Sequence, residues 1–325
     1  MSETTSPARA LDEPTAAGRA RAAAAVRAAG RRTAGARLRK AGTVVLFLAP
    51  SAVPLVLFTL VPMVGSLWVS LHEWNLIGAM RWVGLGNYAA LLRDGDAWRA
   101  LGNTVLYIAG YLPLVYVGGL GLALALNRVT RGRDLFRGVY FLPVVTSWVV
   151  VALIWKWLLN PSEGIVNKIL ALLGIDGPGW WTSDTWALPS VIIASAWKDL
   201  GFVMVILLAG LQAVPGDVLE AARVDGAGAW RRFRHIVLPL LSPSTFFVLV
   251  ISCISGFQVF DQVYVMTSGG PAAAASEVAV ERVYDLTFRY GRVGDASALS
   301  WVLFLVILLV TVVQVRLQRR WVDYG

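Results

Sequence analysis

Long apolar runs separated by short charged segments dominate this chain. Val44 to Leu71, Ala100 to Asn127, Gly138 to Trp155, Leu238 to Phe260 and Ala296 to Val315 contain no Asp, Glu, Lys or Arg. A sixth run, Trp186 to Val214, is interrupted only by Lys198 and Asp199. An α-helix needs roughly 20 residues to cross about 30 Å of hydrocarbon, and each run approaches or exceeds that length. The pattern predicts an all-α membrane protein with six transmembrane helices. The first helix covers 43–71, and a core domain over 100–315 holds the other five. Pro50, Pro54 and Pro62 predict a bend in the first helix. A spanning β-barrel is excluded, because its strands read as short alternating segments rather than continuous apolar runs.

The polar segments between the runs set the orientation. Residues 1–42, the loops 128–137 and 212–241, and the tail from Arg316 together hold twenty Lys and Arg. The intervening segments 72–103, 160–187 and 264–296 hold seven. Positive charge accumulates on the cytoplasmic side, so both termini are expected there, with 212–241 as a cytoplasmic loop. Residues 1–42 are rich in Ala and Arg with scattered Pro and Gly, and read as a disordered basic cytoplasmic tail. The first apolar run is too long for the roughly 7–15-residue core of a cleavable signal peptide, so it reads as a retained helix.

Composition agrees with a lipid solvent. The chain is 57% hydrophobic and 15% charged, against about 25% charged in soluble domains. Its net charge of +9 follows from the cytoplasmic bias and does not call for a nucleic-acid partner. Cys253 is the only cysteine, which rules out an intrachain disulfide and a thiolate metal cluster. His72 and His235 fall in no H-E-x-x-H pattern. None of Lys40, Lys156, Lys168 and Lys198 follows a glycine, so no phosphate-binding G-x-x-x-x-G-K-[ST] loop exists. The chain is therefore expected to carry no catalytic set, metal or cofactor of its own. If ATP and Mg drive its work, another polypeptide binds them.

Two features break the apolar pattern. Lys198 and Asp199 lie inside a run, where insertion scales assign about 2.5–3.5 kcal/mol to each charge at a helix centre. Adjacent residues point about 100° apart on a helix, so the two need not bond each other. A cavity-facing pair and a structural pair both remain open. An intramembrane enzyme using Asp199 and Asp261 is one alternative, and a secondary transporter using Lys198 and Asp199 for ion coupling is another. The second feature is the loop 212–241. Pro215 and Asp217 suit a helix start, Val218 to Val224 a short helix, and Gly226 and Gly228 its end. Trp230, Phe233 and Val237 then share one face of a second helical stretch.

The full stretch LQAVPGDVLEAARVDGAGAWRRFRHIVLPLLSP resembles the cytoplasmic EAA loop of permease subunits from bacterial ABC importers. The signature appears as Glu220-Ala221-Ala222, Gly226 and Ile236-Val237-Leu238-Pro239. VGLGNYAALL, LGNTVLY, YFLPVV, IWKWLLNPSEGIVN and MTSGGP resemble successive landmarks of the carbohydrate-importing branch, the maltose- and glycerol-phosphate-permease type. Together they cover roughly residues 83–315.

That resemblance implies the type I permease fold and a place in the bacterial inner membrane. It also implies a second homologous permease, an ATPase subunit dimer, an extracytoplasmic solute-binding protein, and transport of a sugar by alternating access. It makes the loop a coupling element, with Glu220, Ala221, Ala222, Asp225 and Gly226 docking the ATPase. Small Ala221 and Ala222 let a partner approach closely, and Glu220 and Asp225 can accept charge-assisted hydrogen bonds. Counted from Pro215, Ser195, Trp197 and Phe202 fall on sugar-contacting positions of the maltose permease. Counted from Gly269-Gly270-Pro271, Ser252, Ser255 and Gly256 do the same. Lys198 and Asp199 depart from that permease, and Gln258 and Asp261 add polar groups nearby. The chain also lacks a large insertion in 72–103, which puts in doubt any contact such an insertion would make with a binding protein.

Overall fold

The computed structural model describes residues 43–129 and 131–321; the tail 1–42 lies outside them. The described chain is almost entirely helical and divides into two compact units at Gly65/Ser66. Helix α1 (Thr43–Ser70) crosses that division. It stays continuous past the three prolines but widens to an i→i+5 turn over Val56–Leu60, where the Val61 amide donates to the Val56 carbonyl. This wide turn lies just before Pro62, whose missing amide leaves the Phe58 carbonyl within it without the usual i+4 donor.

In the second unit, a two-stranded antiparallel ribbon, β1 (His72–Glu73) and β2 (Arg81–Trp82), pairs His72 with Trp82 and Glu73 with Arg81. Short α2 (Gly86–Leu91) follows, then the long α3 (Gly95–Arg128). Asp94 caps α3, its carboxylate accepting from the Asp96 and Ala97 amides at 3.0 and 3.2 Å, which satisfies two of the orphan donors of the first turn. Next come α4 (Arg133–Val145), α5 (Trp148–Leu158), α6 (Ile165–Leu172) and α7 (Ala187–Gln212). After α7 lie α8 (Gly216–Val224), α9 (Ala229–Leu240) and α10 (Ser242–Phe257). Helices α11 (Asp261–Thr267), α12 (Ala273–Ser276), α13 (Ala279–Tyr284, extended by a wide turn through Arg289) and α14 (Val293–Trp321) complete the order.

Four of these helices, α1, α3, α7 and α14, are long and apolar enough to span a bilayer unaided. Two expected spans are instead bent pairs. The run Gly138 to Trp155 turns by 97° between α4 and α5, and the run Leu238 to Phe260 turns by 65° near its start, between α9 and α10. The first break has a local cause. Pro143 ends the regular hydrogen bonding of α4, and Thr146 and Ser147 are extended. Hydropathy does not register such a break, because the residues on both sides are equally apolar.

Helix α7 is the centre of the fold and packs most extensively on α3. The contacts Gly110–Ile192, Gly118–Leu200 and Gly119–Val203 advance together along both helices, so α3 and α7 run parallel. The loops 128–137 and 212–241 therefore leave from the same end of the molecule. Where α4 crosses α7, a Cβ on Gly201 would collide with the Tyr140 carbonyl oxygen. Apolar solvent gives helices no hydrophobic incentive to associate, so close approach at small residues supplies the packing energy. The outer surface is apolar, with Leu106, Val117, Leu305 and Leu309 exposed, while Ser190, Ser195, Lys198, Ser252 and Gln262 are buried inside. This inverts the distribution of a soluble protein.

At the end opposite the 212–241 loop, α13 is tied to the start of α3. The Asn103 side chain donates to the Glu277 carbonyl at 2.9 Å, and the Ala279 amide donates to the Thr104 hydroxyl at 2.9 Å. Arg282 bridges Asp94 at 3.3 Å and Glu277 at 3.7 Å.

Candidate functional site

A cavity of about 290 Å³ opens between α3, α7 and the junction of α10 and α11. From α3 come Tyr107 and Tyr111, one turn apart, with their rings stacked at 5.4 Å and 11°. From α7 comes Asp199, whose carboxylate accepts a hydrogen bond from the Tyr111 hydroxyl at 2.7 Å. Trp148, the first residue of α5 after the 146–147 break, forms another wall. Ser255 and Gly256 lie at the end of α10, Gln258 to Phe260 in the connection, and Asp261 and Gln262 at the start of α11. The Gln262 amide donates toward the Tyr107 oxygen at 3.4 Å. The non-helical backbone from Gln258 to Phe260 borders this cavity.

The neighbours Lys198 and Asp199 have separate partners. The Lys198 ammonium does not line the cavity but lies behind its Trp148 wall, donating to the Val144 carbonyl at 3.0 Å and sitting 4.5 Å from the Trp148 ring centroid. Val144 sits in the last turn of α4, where carbonyls lack intrahelical donors. A cation at that helix terminus satisfies one of them and complements the helix dipole. The charge pair thus divides into one residue that secures the broken span and one that faces the cavity.

The remaining candidate positions fall around this centre. Ser195 and Ser252 are buried beside Tyr107 and Tyr111 respectively. The Ser195 hydroxyl makes no hydrogen bond of ordinary geometry among the described residues. Phe202 is half-buried in the core. Trp197 is 45% exposed and meets Trp155 edge-on at 5.8 Å, away from the cavity. Asp199, Ser255, Gly256, Gln258 and Asp261 therefore share one wall system, and Trp197, Lys198 and Phe202 do not line it.

The loop at the end of α7 has a different construction. Helix α8 holds Glu220, Ala221 and Ala222 and buries no residue. Its end is a six-residue backbone lock. The Ala227 amide donates to the Ala222 carbonyl at 2.9 Å and the Gly226 amide to the Arg223 carbonyl at 3.1 Å. That lock needs a left-handed residue, and Gly226 supplies it at φ +76°. Arg232 also donates to the Ala227 carbonyl, holding α9 against the turn. Val224 and Trp230 are 89% and 71% exposed, so apolar groups flank the acidic pair in the open.

Residues 117–323 match the family described as binding-protein-dependent transport system inner membrane component. The chain belongs to that family. The permease is 34% identical over 278 residues to the trehalose/maltose transport system permease protein MalF of Thermococcus litoralis, covering 84% of this chain and 92% of the relative. It is 34% identical over 275 residues to the lactose transport system permease protein LacF of Rhizobium radiobacter, covering 83% and 91%. Its fold matches a chain in the crystal structure of a bacterial alginate ABC transporter in complex with alginate pentasaccharide-bound periplasmic protein. That match has a TM-score of 0.77 at 25% identity, over 89% of the permease and 98% of that chain.

Sequence reading of the permease passed over Tyr107, Tyr111, Trp148 and Gln262. Two tyrosines four residues apart within a charge-free run are a usable signal, because each must find a hydrogen-bond partner when buried. Gln258 and Gln262 share the same spacing. Among the described residues no group of three or more His, Cys, Asp or Glu has metal-binding geometry.

Proposed function

We propose that this permease forms half of the translocation path for a sugar or sugar derivative. It pairs with a second homologous permease, an ATPase dimer that binds ATP and Mg, and an extracytoplasmic solute-binding protein. It lies in a bacterial inner membrane with six spans, each bent pair counting as one, and both termini in the cytoplasm. The parallel course of α3 and α7, which sends two basic loops from one end, supports that orientation. Sugar relatives at 34% identity and near-full coverage support the cargo class.

One observation carries the mechanical reading. Continuous α7 bears Asp199 in the cavity and ends at Gln212, directly before α8. At 1.5 Å per residue the carboxylate and the coupling loop are about 20 Å apart on one rigid element. Displacement of α8 by the ATPase would tilt α7 and reshape the cavity walls on α3, α5 and the α10–α11 junction. Glu220, Ala221, Ala222, Asp225 and Gly226 are the docking set in this reading. Asp199, Ser255, Gly256, Gln258 and Asp261, joined by Tyr107, Tyr111 and Gln262, are the path set, with Ser195 and Ser252 supporting the tyrosines. Hydroxyl, amide and carboxylate groups beside aromatic faces suit a polyhydroxylated solute that is released again rather than held.

Reconstitution tests this directly. Proteoliposomes holding both permeases, the ATPase and the binding protein should take up labelled sugar only with ATP inside. Liposomes holding this permease alone should show no uptake under an ion gradient. Gradient-driven uptake by the lone chain would overturn the reading.

A further inference from the structure

Every charged side chain that lines the cavity is a carboxylate. Asp199 and Asp261 are there, and among the described residues no Lys, Arg or His joins them. The nearby cations lie outside the lining, Lys198 behind the Trp148 wall at 4.5 Å from that ring's centroid. Lys198 is buried and donates to the Val144 carbonyl, and Lys156 donates to the Val265 carbonyl at 3.1 Å while lying 4.9 Å from the Trp181 ring centroid. The neutral lining groups are Ser255, Gln258, Gln262 and the two tyrosines. The Tyr111 proton is already given to Asp199.

This set treats neutral and acidic solutes differently. A sugar hydroxyl brings a proton that either carboxylate can accept. Asp199 uses one oxygen, Oδ2, for Tyr111 and keeps Oδ1 for a second donor. A carboxylate, sulfonate or phosphate group brings only acceptors. Sites for such groups are usually built from Arg, Lys or oriented amides, and here it would meet the half-buried Asp199 carboxylate and the exposed Asp261 carboxylate. The start of α11 offers amides at the rim, but its first residue is Asp261, which occupies that electropositive end itself.

We infer that this half of the path is an electrostatic filter admitting saccharides without acidic groups, with Asp199 as the residue that decides. The inference rests on the sugar reading above and specifies its substrate class. Specificity is a difference of affinities, and a fixed like charge is an economical way to create one.

The test uses the assembled transporter without its binding protein, so that selection upstream does not intervene. Saturation-transfer NMR measures binding of maltose, trehalose, cellobiose and lactose. Each is paired with the counterpart in which one hydroxymethyl group is oxidised to a carboxylate. At least one neutral disaccharide should bind, and its acidic counterpart should bind about tenfold more weakly or worse. Asp199→Asn keeps an acceptor for Tyr111 and should narrow that gap to roughly threefold. Asp261→Asn, at an exposed position, should narrow it less and keeps the test readable if the first variant fails to fold. Equal binding of neutral and acidic members by the unmodified transporter overturns the filter. So does a gap that neither variant changes. Binding of none of the eight compounds would instead bring down the sugar reading itself.

Discussion

The cavity and the loop after α7 are built on opposite plans. In the cavity, polar groups are tied to one another across long stretches of chain, as Tyr111 is to Asp199 and Gln262 to Tyr107. In the loop, the backbone closes on itself through Gly226, while Glu220, Asp225, Val224 and Trp230 stand exposed. One region ties its polar groups to one another within this chain, and the other presents a surface. Substitutions should therefore separate cleanly. Changes in the cavity should disturb stability and solute choice together, and changes in the loop should disturb coupling alone.

The largest expected effect breaks coupling without touching the fold. Glu220→Lys should lower ATP-driven uptake by about two orders of magnitude, because a reversed charge replaces an attractive contact with a repulsive one. Its melting temperature in detergent should stay within about 1 °C of the unmodified protein, since an exposed substitution rarely exceeds ±0.5 kcal/mol. A large drop in melting temperature would merge the two regions into one structural unit.

Tyr111→Phe should show the reverse emphasis. It leaves the half-buried Asp199 carboxylate without its donor, at a cost of about 1–3 kcal/mol. Thermal unfolding should shift downward together with solute binding, while basal ATPase activity of the assembled complex is retained. An unchanged melting temperature would mean that water replaces the lost hydroxyl fully.

A smaller effect concerns the far end of the fold. Burial, helped by the neighbouring Glu277 and Asp285 charges, pushes the Glu281 carboxyl up to about 7. A carboxyl whose folded value exceeds its unfolded value favours folding below the unfolded value, and that contribution is lost as pH rises through about 7. Stability should fall by on the order of 1–3 kcal/mol between pH 5 and pH 8 from this group. Glu281→Gln should flatten that slope in a series of melting curves. A slope that persists unchanged would assign the effect to other groups.

The smallest expected change is at Trp197. Its indole is turned from the cavity toward Trp155, so Trp197→Ala should lower uptake less than about threefold, in the range of a half-exposed packing contact. A tenfold loss would place that face of α7 on the path.

The loop was legible because its rules are local. Pro215 at the start, Glu220-Ala221-Ala222 in the middle and Gly226 at the end specify a short helix with an exposed surface, whatever packs behind it. The cavity was legible only in part. Asp199 stood out by its cost inside an apolar run, and Ser255, Gly256, Gln258 and Asp261 by their resemblance or polarity. Tyr107 and Tyr111 did not stand out, because aromatic residues in spans more often pack or mark interfaces. Lys198 and Asp199 were visible as a pair, but not as residues with separate duties.

By itself, then, the sequence determined where the chain is apolar enough for lipid, which loops are basic, and how the helix carrying Glu220 stops. These depend on the transfer of each segment into a bilayer or on the φ angle of one residue, and neither needs distant partners. Tertiary structure decided the rest. The rotation of α7 about its own axis, fixed where Gly201 meets Tyr140 and Gly119 meets Val203, sends Lys198 to the broken end of α4 and Asp199 to Tyr111. Those partners lie 54 and 88 residues away in the chain, beyond any spacing a local pattern encodes.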